Sequence, residues 1–386
     1  MSTLKVDAIR HNSATSDAIT TAADGTCTAK LTSVGGGGLS HRNRVINGAM
    51  LIDQRASSYT ATGEEYTLDR FHHRTGSGFT FDTTTTQDTS APDGFTKSLK
   101  ITPDSTQTPT GSHNGIIAQL IEADNLIGFA SGTSSAKSFA LSFYAKSASQ
   151  NNNHQYSVQL SKKNSGGAYY YQNRSFTVTS SWQRFTFVFS ADTSNNIITG
   201  NGEGLRILWH LAAGPDDIAS AVTSWTSGDV NAAVTGQSNF MDNTSNEFYL
   251  TGVQLEVGDT VTSFEHRSYG EELRRCYRYF QRLTSSDNYQ WVSLVSFYAN
   301  TEIHGFLKHF ETMRAAPTLS ATTGANTFAV QRAGGAVAWS TGIIKNGGDL
   351  NMTYFYRDGV SLGTAGQCGR CLTWSAGSTI TLSAEL

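Results

Sequence analysis

The sequence predicts an all-β protein with one large β-sandwich and a smaller one after it. Apolar side chains recur at every second position in short stretches such as residues 139–143, 185–189 and 205–211, which is the pattern of strands with one buried face. Polar, turn-forming stretches separate them, for example residues 151–153 and 164–167. Since two apolar sheet faces must cover each other, repeated half-buried strands predict sandwiches.

Composition excludes several classes of function. Charged residues make up 15% of the chain, so its solubility must come from neutral polar groups. The formal net charge of -3 argues against a nucleic-acid partner, because phosphate binding needs clustered Lys and Arg. No stretch is as long and apolar as a membrane span, and the opening MSTLKVDAIR lacks a signal-peptide core. We therefore expect no membrane insertion and synthesis in a cytoplasm, with release by another route such as lysis of an infected host.

The composition of residues 1–40 predicts an attachment segment, which would connect the chain to a partner. They hold a thin apolar series and no aromatic residue, so they cannot bury enough apolar surface to offset their own ordering entropy. We expect them to stay disordered or to fold against partners. The glycines at 35–38 then form a flexible joint. An attachment segment is favoured, and a disordered tail is the alternative.

Residues 41–267 predict the large sandwich, bracketed by an opening segment at 43–55 and a closing strand from 248. In the closing strand Tyr249, Val253, Leu255 and Val257 are predicted to share one face. Gly258 then begins a turn with Asp259.

Residues 268–282 predict a helical connector, because Ser268 and Glu271 have the spacing of a capping box and apolar residues follow at helical spacing. Its arginines are interpreted as a solvated face rather than an anion site.

Residues 283–386 return to β character and predict a second, smaller sandwich. Pro317 and Thr318 mark the start of one strand, and hydroxyl residues alternate with Ile380 and Leu382 at Thr379, Thr381 and Ser383.

The four cysteines are interpreted as free thiols rather than metal ligands. Cys368 and Cys371 have C-x-x-C spacing, but Cys27 and Cys276 do not supply a second ligand pair at suitable spacing. We predict neither a metal nor a cofactor.

Aromatic residues next to amides and cations are candidates for sugar binding, because pyranose C–H faces stack on rings while polar groups read hydroxyls. Tyr169, Tyr170 and Tyr171 precede Gln172, Asn173 and Arg174 on one predicted strand. Tyr169 and Tyr171 would share a face and Tyr170 the other. Further candidates are Trp182, Trp209 and Trp225. The alternative for all of them is to fill the sandwich core.

No catalytic site is predicted. Neighbouring acids, as in residues 64–65, 216–217 and 271–272, point to opposite faces of a strand and do not form the carboxylate pair that glycoside hydrolysis needs. The G-x-S-x-G and H-E-x-x-H motifs do not occur.

Several segments resemble tail fibre proteins of tailed bacteriophages of the marine or cyanophage type. They are residues 2–7 with ADGT at 23–26, residues 43–54 with YTLDRF at 66–71, residues 250–268, residues 272–280, and residues 313–318 with the final Ala384-Glu385-Leu386. The sandwich segments are also similar to xylan-type carbohydrate-binding modules, which have a jelly-roll fold. An acidic pair helps to hold a structural calcium in those modules, and Thr251 and Gly252 stand at the matching positions here, so we do not predict calcium.

The resemblance implies a homotrimeric virion fibre whose residues 1–40 dock on the phage tail or an adaptor and whose sandwich domains reach a host-surface glycan. It implies a structural, non-enzymatic protein located in the virion tail. Two alternatives stay open, a glycan-degrading tailspike and a purely structural head or tail decoration. The tailspike alternative is weakened because depolymerases of this kind are typically long β-helical repeats, and no such repeat is found in the sequence.

Overall fold

Antiparallel sheets contain nearly all of the regular elements in the computed structural model, which confirms the predicted all-β class. The structure describes residues 6–10, 12, 19–21, 23, 27–29, 41–56, 58–228, 232–284, 287–359 and 363–386. No helix in these ranges is long and apolar enough to span a bilayer.

A small antiparallel sheet of three strands lies in the first thirty residues, formed by β1 (Ala8–Ile9), β2 (Ile19–Thr21) and β3 (Cys27–Ala29). Ile9 pairs with Ile19, and Thr21 pairs with Cys27. Ile9 remains 55% exposed, which agrees with the weak apolar content of this segment. The predicted glycine joint at 35–38 lies outside the described residues, and so does most of the predicted attachment segment.

In its described residues the large sandwich contains fifteen strands and three short 3-10 helices. The 3-10 helices are Ala123–Phe129, Pro215–Asp217 and Phe240–Asp242. The strands, in chain order, are β4 (Ser58–Ala61), β5 (Glu65–Tyr66), β6 (His72–Gly76), β7 (Thr83–Asp88), β8 (Ser98–Pro103), β9 (Asn114–Glu122), β10 (Phe139–Ser147), β11 (Gln155–Lys163), β12 (Tyr169–Thr177), β13 (Gln183–Phe189), β14 (Glu203–Ala213), β15 (Ile218–Ala219), β16 (Thr226–Ser227), β17 (Ala233–Val234) and β18 (Phe248–Val257).

Two sheets face each other in this domain. One has six strands in the order β13-β10-β18-β8-β7-β4, and the other has seven in the order β16-β12-β11-β14-β9-β6-β5. The core between them contains the inward-facing side chains of each strand, such as Leu141 and Phe143 of β10 and Leu205 and Ile207 of β14. This arrangement confirms the predicted sandwich. Strands β15 and β17 form a separate parallel pair.

The closing strand β18 was predicted correctly, and so was the shared face of Val253, Leu255 and Val257, but the assignment of Tyr249 to that face was wrong. Leu250, Val253 and Leu255 point into the core, whereas Tyr249 lies on the outer face. A β-bulge at Gly252 causes this change of phase, because the register to β10 shifts there and Gly252 has a φ of 61°. A Cβ at Gly252 would lie 2.8 Å from the rings of Phe95 and Tyr144, so both the backbone and the packing require glycine.

The opening segment lies directly beside this closing strand. Arg44 N–H donates to the Leu255 carbonyl at 2.9 Å, and Asn43 Nδ2 donates to the Val253 carbonyl at 3.0 Å. Glu265, in the turn after the strand, accepts from the Asn43 amide at 2.9 Å. The two segments that bracket the domain in the sequence therefore close it together.

The connector contains helix α1 (Tyr269–Tyr277), which is shorter than the predicted 268–282. Ser268 caps it, since its Oγ accepts from the Glu271 amide at 3.3 Å. The helix ends because the next residues form strand β19 (Phe280–Arg282), which pairs with the last strand of the chain. Two of its arginines form ion pairs near the surface, Arg274 with Glu311 and Arg275 with Glu271.

The smaller sandwich continues with β20 (Trp291–Ala299), β21 (Glu302–Lys308), β22 (Thr318–Ala321), β23 (Phe328–Arg332), β24 (Gly335–Trp339), β25 (Ile344–Gly348), β26 (Met352–Arg357), β27 (Cys368–Thr373) and β28 (Ile380–Ser383). A three-stranded sheet in the order β19-β28-β22 faces a seven-stranded sheet in the order β24-β23-β27-β20-β21-β26-β25. Val295, Phe297, Phe355 and Leu382 are among the residues of the core between them. The strand predicted after Pro317 is β22.

Candidate functional site

A groove of about 400 Å³ lies where the two sandwiches meet, a volume within the usual range of small-ligand sites. It combines aromatic rings, guanidinium groups and hydroxyls. The lining residues are Arg55, Tyr59, Tyr66, Phe280, Arg282, Thr379, Thr381 and Ser383.

One wall is a two-stranded ladder from the smaller sandwich. In β28 the side chains of Ile380 and Leu382 enter the core, so the hydroxyls of Thr381 and Ser383 face the groove. Arg282 of β19 pairs directly with Thr381. The alternation that the sequence showed at its end thus places a row of hydroxyls beside a guanidinium.

The opposite wall contains two tyrosines from the large sandwich. Tyr59 donates its hydroxyl to Glu65 Oε2 at 3.0 Å. The Tyr66 ring packs at a tilt of 31° against His72, with ring centroids 4.5 Å apart, and its hydroxyl donates to the Leu386 carbonyl at 3.0 Å. Burial raises the pKa of Tyr66 to about 12, so its hydroxyl remains a neutral donor at physiological pH.

The two arginines of the groove differ in how their charge is balanced. Arg55 lies 3.8 Å above the Phe280 ring and pairs with Glu385 at 2.7 Å and Asp69 at 3.8 Å. Arg282 donates Nε to the Thr284 carbonyl at 3.2 Å and has no carboxylate partner among the described residues. Arg282 is therefore the cation that can receive an anionic group of a ligand.

The last three residues of the sequence form one end of the groove region and join the two domains. Glu385 forms ion pairs with Arg55 and with the fully buried Arg70. Arg314 donates to the Ala384 carbonyl at 2.8 Å and to the Glu385 carbonyl at 2.7 Å. Leu386 packs on an apolar strip of the seven-stranded sheet of the large sandwich, formed by Ile116, Ala118, Leu120 and Leu208.

Asp53 lies close to Asp69, the carboxylate that pairs with Arg55. Burial, and then the neighbouring negative charge of Asp69, raises the pKa of Asp53 to about 6. One of its oxygens, Oδ1, is buried and has no hydrogen-bond partner among the described residues. Ionised Asp53 is therefore unfavourable in the folded state.

Replacing Asp53 with asparagine should make the stability less dependent on pH. The folded-state pKa is above the unfolded value, so the native protein holds an extra proton between about pH 4 and 6 and loses stability as the pH rises through that window. The variant should be more stable than the wild type by about 1 kcal/mol at pH 8, after allowance for solvent screening, and equally stable at pH 4. Thermal unfolding at both pH values measures this. Asp259→Asn, on an exposed turn, is the control, and an equal gain at both pH values would contradict the prediction.

The predicted tyrosine cluster lies on β12, away from the groove, and all three side chains are half-buried. Tyr169 donates its hydroxyl to Glu203 at 2.8 Å, and the Arg206 guanidinium lies 4.1 Å above its ring. In the register of β12 against β11, Tyr170 lies opposite Lys162 and Tyr171 lies opposite Ser161. Because its ring is already covered by a cation, Tyr169 has little free face for a sugar.

The predicted tryptophans lie in different surroundings. Trp182 is half-buried on the outer face of the six-stranded sheet, with its ring centroid 6.1 Å from that of Tyr249 and the Lys146 ammonium 5.5 Å away. Trp209 has no exposed surface and contacts Phe143 and Phe71 in the core, so a sugar cannot reach it. For Trp209 the core-filling alternative applies. Trp225 packs edge-on against Phe139, also beside the core.

The structure does not bring the predicted candidates together, and the groove residues were missed as binding residues. Two signals were present in the sequence. Tyr66 belongs to the YTLDRF segment, and Thr381 and Ser383 alternate with Ile380 and Leu382 in the pattern of a strand. Neither signal shows that residues more than three hundred positions apart meet.

The cysteines whose side chains are described, Cys276, Cys368 and Cys371, are free thiols. Cys371 is buried in the smaller core and Cys368 is exposed. Burial raises the pKa of Cys371 to about 12. In the described part of the chain no three His, Cys, Asp or Glu side chains are grouped so that they could hold a metal ion. The Cys27 side chain lies outside that part.

No family model and no curated protein matches the chain. Its similar solved structures include a Bacteroides thetaiotaomicron protein described as sugar-binding (TM-score 0.32, 10% identity, covering 56% of this chain and 100% of that one). A family 22 xylan-binding domain from Paenibacillus barcinonensis has a TM-score of 0.28 at 10% identity and covers 57% and 100% of the two chains. The enzymatically active domain of tailspike protein 4 from bacteriophage CBA120 has a TM-score of 0.28 at 13% identity and covers 59% of this chain and 23% of that one. No functional assignment rests on these likenesses.

Proposed function

We propose that the chain is a non-enzymatic, homotrimeric tail-fibre protein of a tailed bacteriophage that attaches to a host-surface glycan through the junction groove. Residues 1–40 would connect it to the tail or to an adaptor protein. The observation that carries the glycan assignment is the side-chain chemistry of the groove. Tyr59 supplies a ring, Thr381 and Ser383 supply hydroxyls, and Arg282 supplies a cation without an acidic partner among the described residues.

These groups suit a sugar that carries a carboxylate or sulfate. Thr381 and Ser383 form no side-chain hydrogen bonds within the described part of the chain, so their hydroxyls are available to a ligand. A guanidinium beside them can bind an anionic substituent with two parallel hydrogen bonds. A long polyanion such as nucleic acid is a poorer fit because the chain carries a net charge of -3.

A single open groove of this size binds a sugar weakly, and three copies overcome that weakness. Linked sites convert the second and third binding events into intramolecular ones, which raises the overall affinity without new contacts. Light scattering coupled to size exclusion should therefore give three times the chain mass. A stable monomer would argue against the fibre.

Replacing Arg282 with alanine should weaken binding to acidic glycans about 10- to 100-fold, the loss expected for a charge-assisted hydrogen bond. A glycan array with uronate, sulfated and neutral sugars, followed by calorimetry on the best ligand, measures it. Arg274→Ala is the matched control, because Arg274 lies on α1 with a side chain that is 72% exposed and pairs with Glu311. Unchanged affinity in the Arg282 variant would remove the groove from the proposal.

Two measurements separate this function from its alternatives. Incubation with host polysaccharide should release no new reducing ends, whereas steady release would identify a depolymerase. Labelled protein should bind host cells by itself. A failure to bind cells or any glycan would favour a purely structural decoration protein.

A further inference from the structure

The seven-stranded sheet of the smaller sandwich has an outer face that is apolar and uncovered, which we call the outer apolar face. Most large side chains on it are close to half exposed or more. They are Trp291 (65%), Leu294 (64%), Tyr298 (72%), Phe306 (47%), Ile344 (43%) and Tyr354 (50%).

Strand pairing makes these side chains one continuous patch. Strands β20, β21, β26 and β25 are neighbours in the sheet. Phe306 pairs with Tyr354, and Ile344 pairs with Tyr356. The Tyr298 ring stacks on His304 at 5.0 Å, which links the β20 and β21 rows. On the other faces of the same strands Val295, Phe297 and Phe355 are buried, so the sheet is apolar on both sides.

The area of the patch matches what a stable protein interface needs. Four aromatic side chains at these exposures present roughly 500 Å². A standard interface buries about 800 Å² on each partner, of which about 60% is apolar, again roughly 500 Å². Leu294 and Ile344 extend the patch. A patch of this size is at the upper end for a monomeric protein.

Charges on the outer apolar face are few and mostly paired. His304 contacts Glu302 at 2.7 Å, and Arg370 donates to Gln331 at 2.7 Å while its guanidinium lies 4.6 Å from the Trp291 ring. Lys308 is an exposed cation at the end of β21. Identical copies can therefore approach through this face without a row of like charges opposing one another.

We propose that the outer apolar face is where the copies of this chain contact each other, with three such faces converging on a threefold axis. This inference rests on the homotrimer of the proposed function and names its surface. A second copy fits better than a sugar because Leu294, Phe306 and Ile344 offer neither hydroxyls nor amides. The junction groove lies outside this face and stays available to a glycan.

A paired substitution tests the surface. Leu294→Ser with Tyr354→Ser in the full chain should convert a trimer into a monomer in light scattering at micromolar concentration. Ile127→Ser is the matched control, since Ile127 is 66% exposed on the large sandwich and should leave the trimer intact. The affinity of a single groove for glycan, measured at a ligand density too low for one trimer to bind through two grooves, should be the same in the monomeric variant and the wild type.

A second measurement reports on the same surface by fluorescence. The difference in acrylamide quenching between the wild type and Trp291→Phe isolates the fluorescence of Trp291. The Trp291 side chain should be shielded from acrylamide in the trimer and accessible in the paired variant. A trimer that persists in the folded paired variant, or a Trp291 that is freely quenched in the wild-type trimer, would overturn the interface but leave the fibre function standing. A wild-type monomer that binds glycan would overturn the interface and the trimer while leaving glycan recognition intact.

Discussion

Trp209→Ala is expected to lower the free energy of unfolding by roughly 3–5 kcal/mol, the range for removing a large aromatic side chain from a packed core. Trp209 has no exposed surface and is the largest fully buried side chain among the described residues. The centroid of its ring lies 5.7 Å from that of Phe143 and 6.3 Å from that of Phe71 in the sandwich core. Urea unfolding followed by far-UV circular dichroism measures the change without relying on tryptophan emission.

Two further variants make this result specific. Trp209→Phe should cost less, because it leaves a smaller cavity and removes the indole N–H, which is buried without a partner among the described residues. Trp182→Ala, at a half-buried outer position, should cost about 1 kcal/mol or less. Equal losses for Trp182→Ala and Trp209→Ala would contradict the assignment of Trp209 to the core.

Glu385→Gln is expected to destabilise the protein by roughly 3–5 kcal/mol, the cost of leaving a buried charge without its partner. Glu385 is the carboxylate that pairs with Arg70, whose side chain is 2% exposed. Burial lowers the pKa of Arg70, and in the wild type the charge of Glu385 outweighs burial and raises it. The variant loses that charge, but a guanidinium is so strongly basic that Arg70 stays protonated and its buried charge is left unbalanced. Arg70 would keep the Leu120 carbonyl at 2.5 Å and the Tyr279 ring at 3.6 Å, but no carboxylate to balance its charge.

The matched control for Glu385 is a surface ion pair. Glu64 lies 3.6 Å from Arg74 and its side chain is 53% exposed, so Glu64→Gln should change stability by less than about 1 kcal/mol. Differential scanning calorimetry distinguishes the two variants by their transition temperatures. If Glu385→Gln lowered the transition temperature no more than Glu64→Gln, the ion pairs of Glu385 would not contribute to the stability of the protein.

Strand positions could be predicted from the sequence because a period of two is a local property. The stretches at residues 139–143, 185–189 and 205–211 all lie within strands β10, β13 and β14. The error in the closing strand has a non-local cause. Gly252 forms a bulge where Phe95 and Tyr144 pack, and that contact reverses the phase of Tyr249 relative to Val253.

The site was harder to predict than the fold. Aromatic residues in strands could be recognised as candidates, but alternation alone does not say which face of a sheet is covered. Trp209 is in phase with Leu205, Ile207 and Leu211, and that shared phase indicated the core. The groove, in contrast, joins Tyr59 and Tyr66 to Arg282 and Thr381 across a domain boundary, and no local pattern encodes such a meeting.

The ion pair between Arg70 and Glu385 joins residues that are 315 positions apart, which has a consequence during translation. At 5–20 residues per second, the ribosome needs on the order of tens of seconds to make the counterion after the arginine has emerged. Until then a nascent large domain must keep that guanidinium hydrated or leave the strip around Leu120 uncovered. The large domain therefore cannot complete its packing until residue 385 has been synthesised. Chains stalled before Glu385 should be degraded faster by cellular proteases than full-length chains.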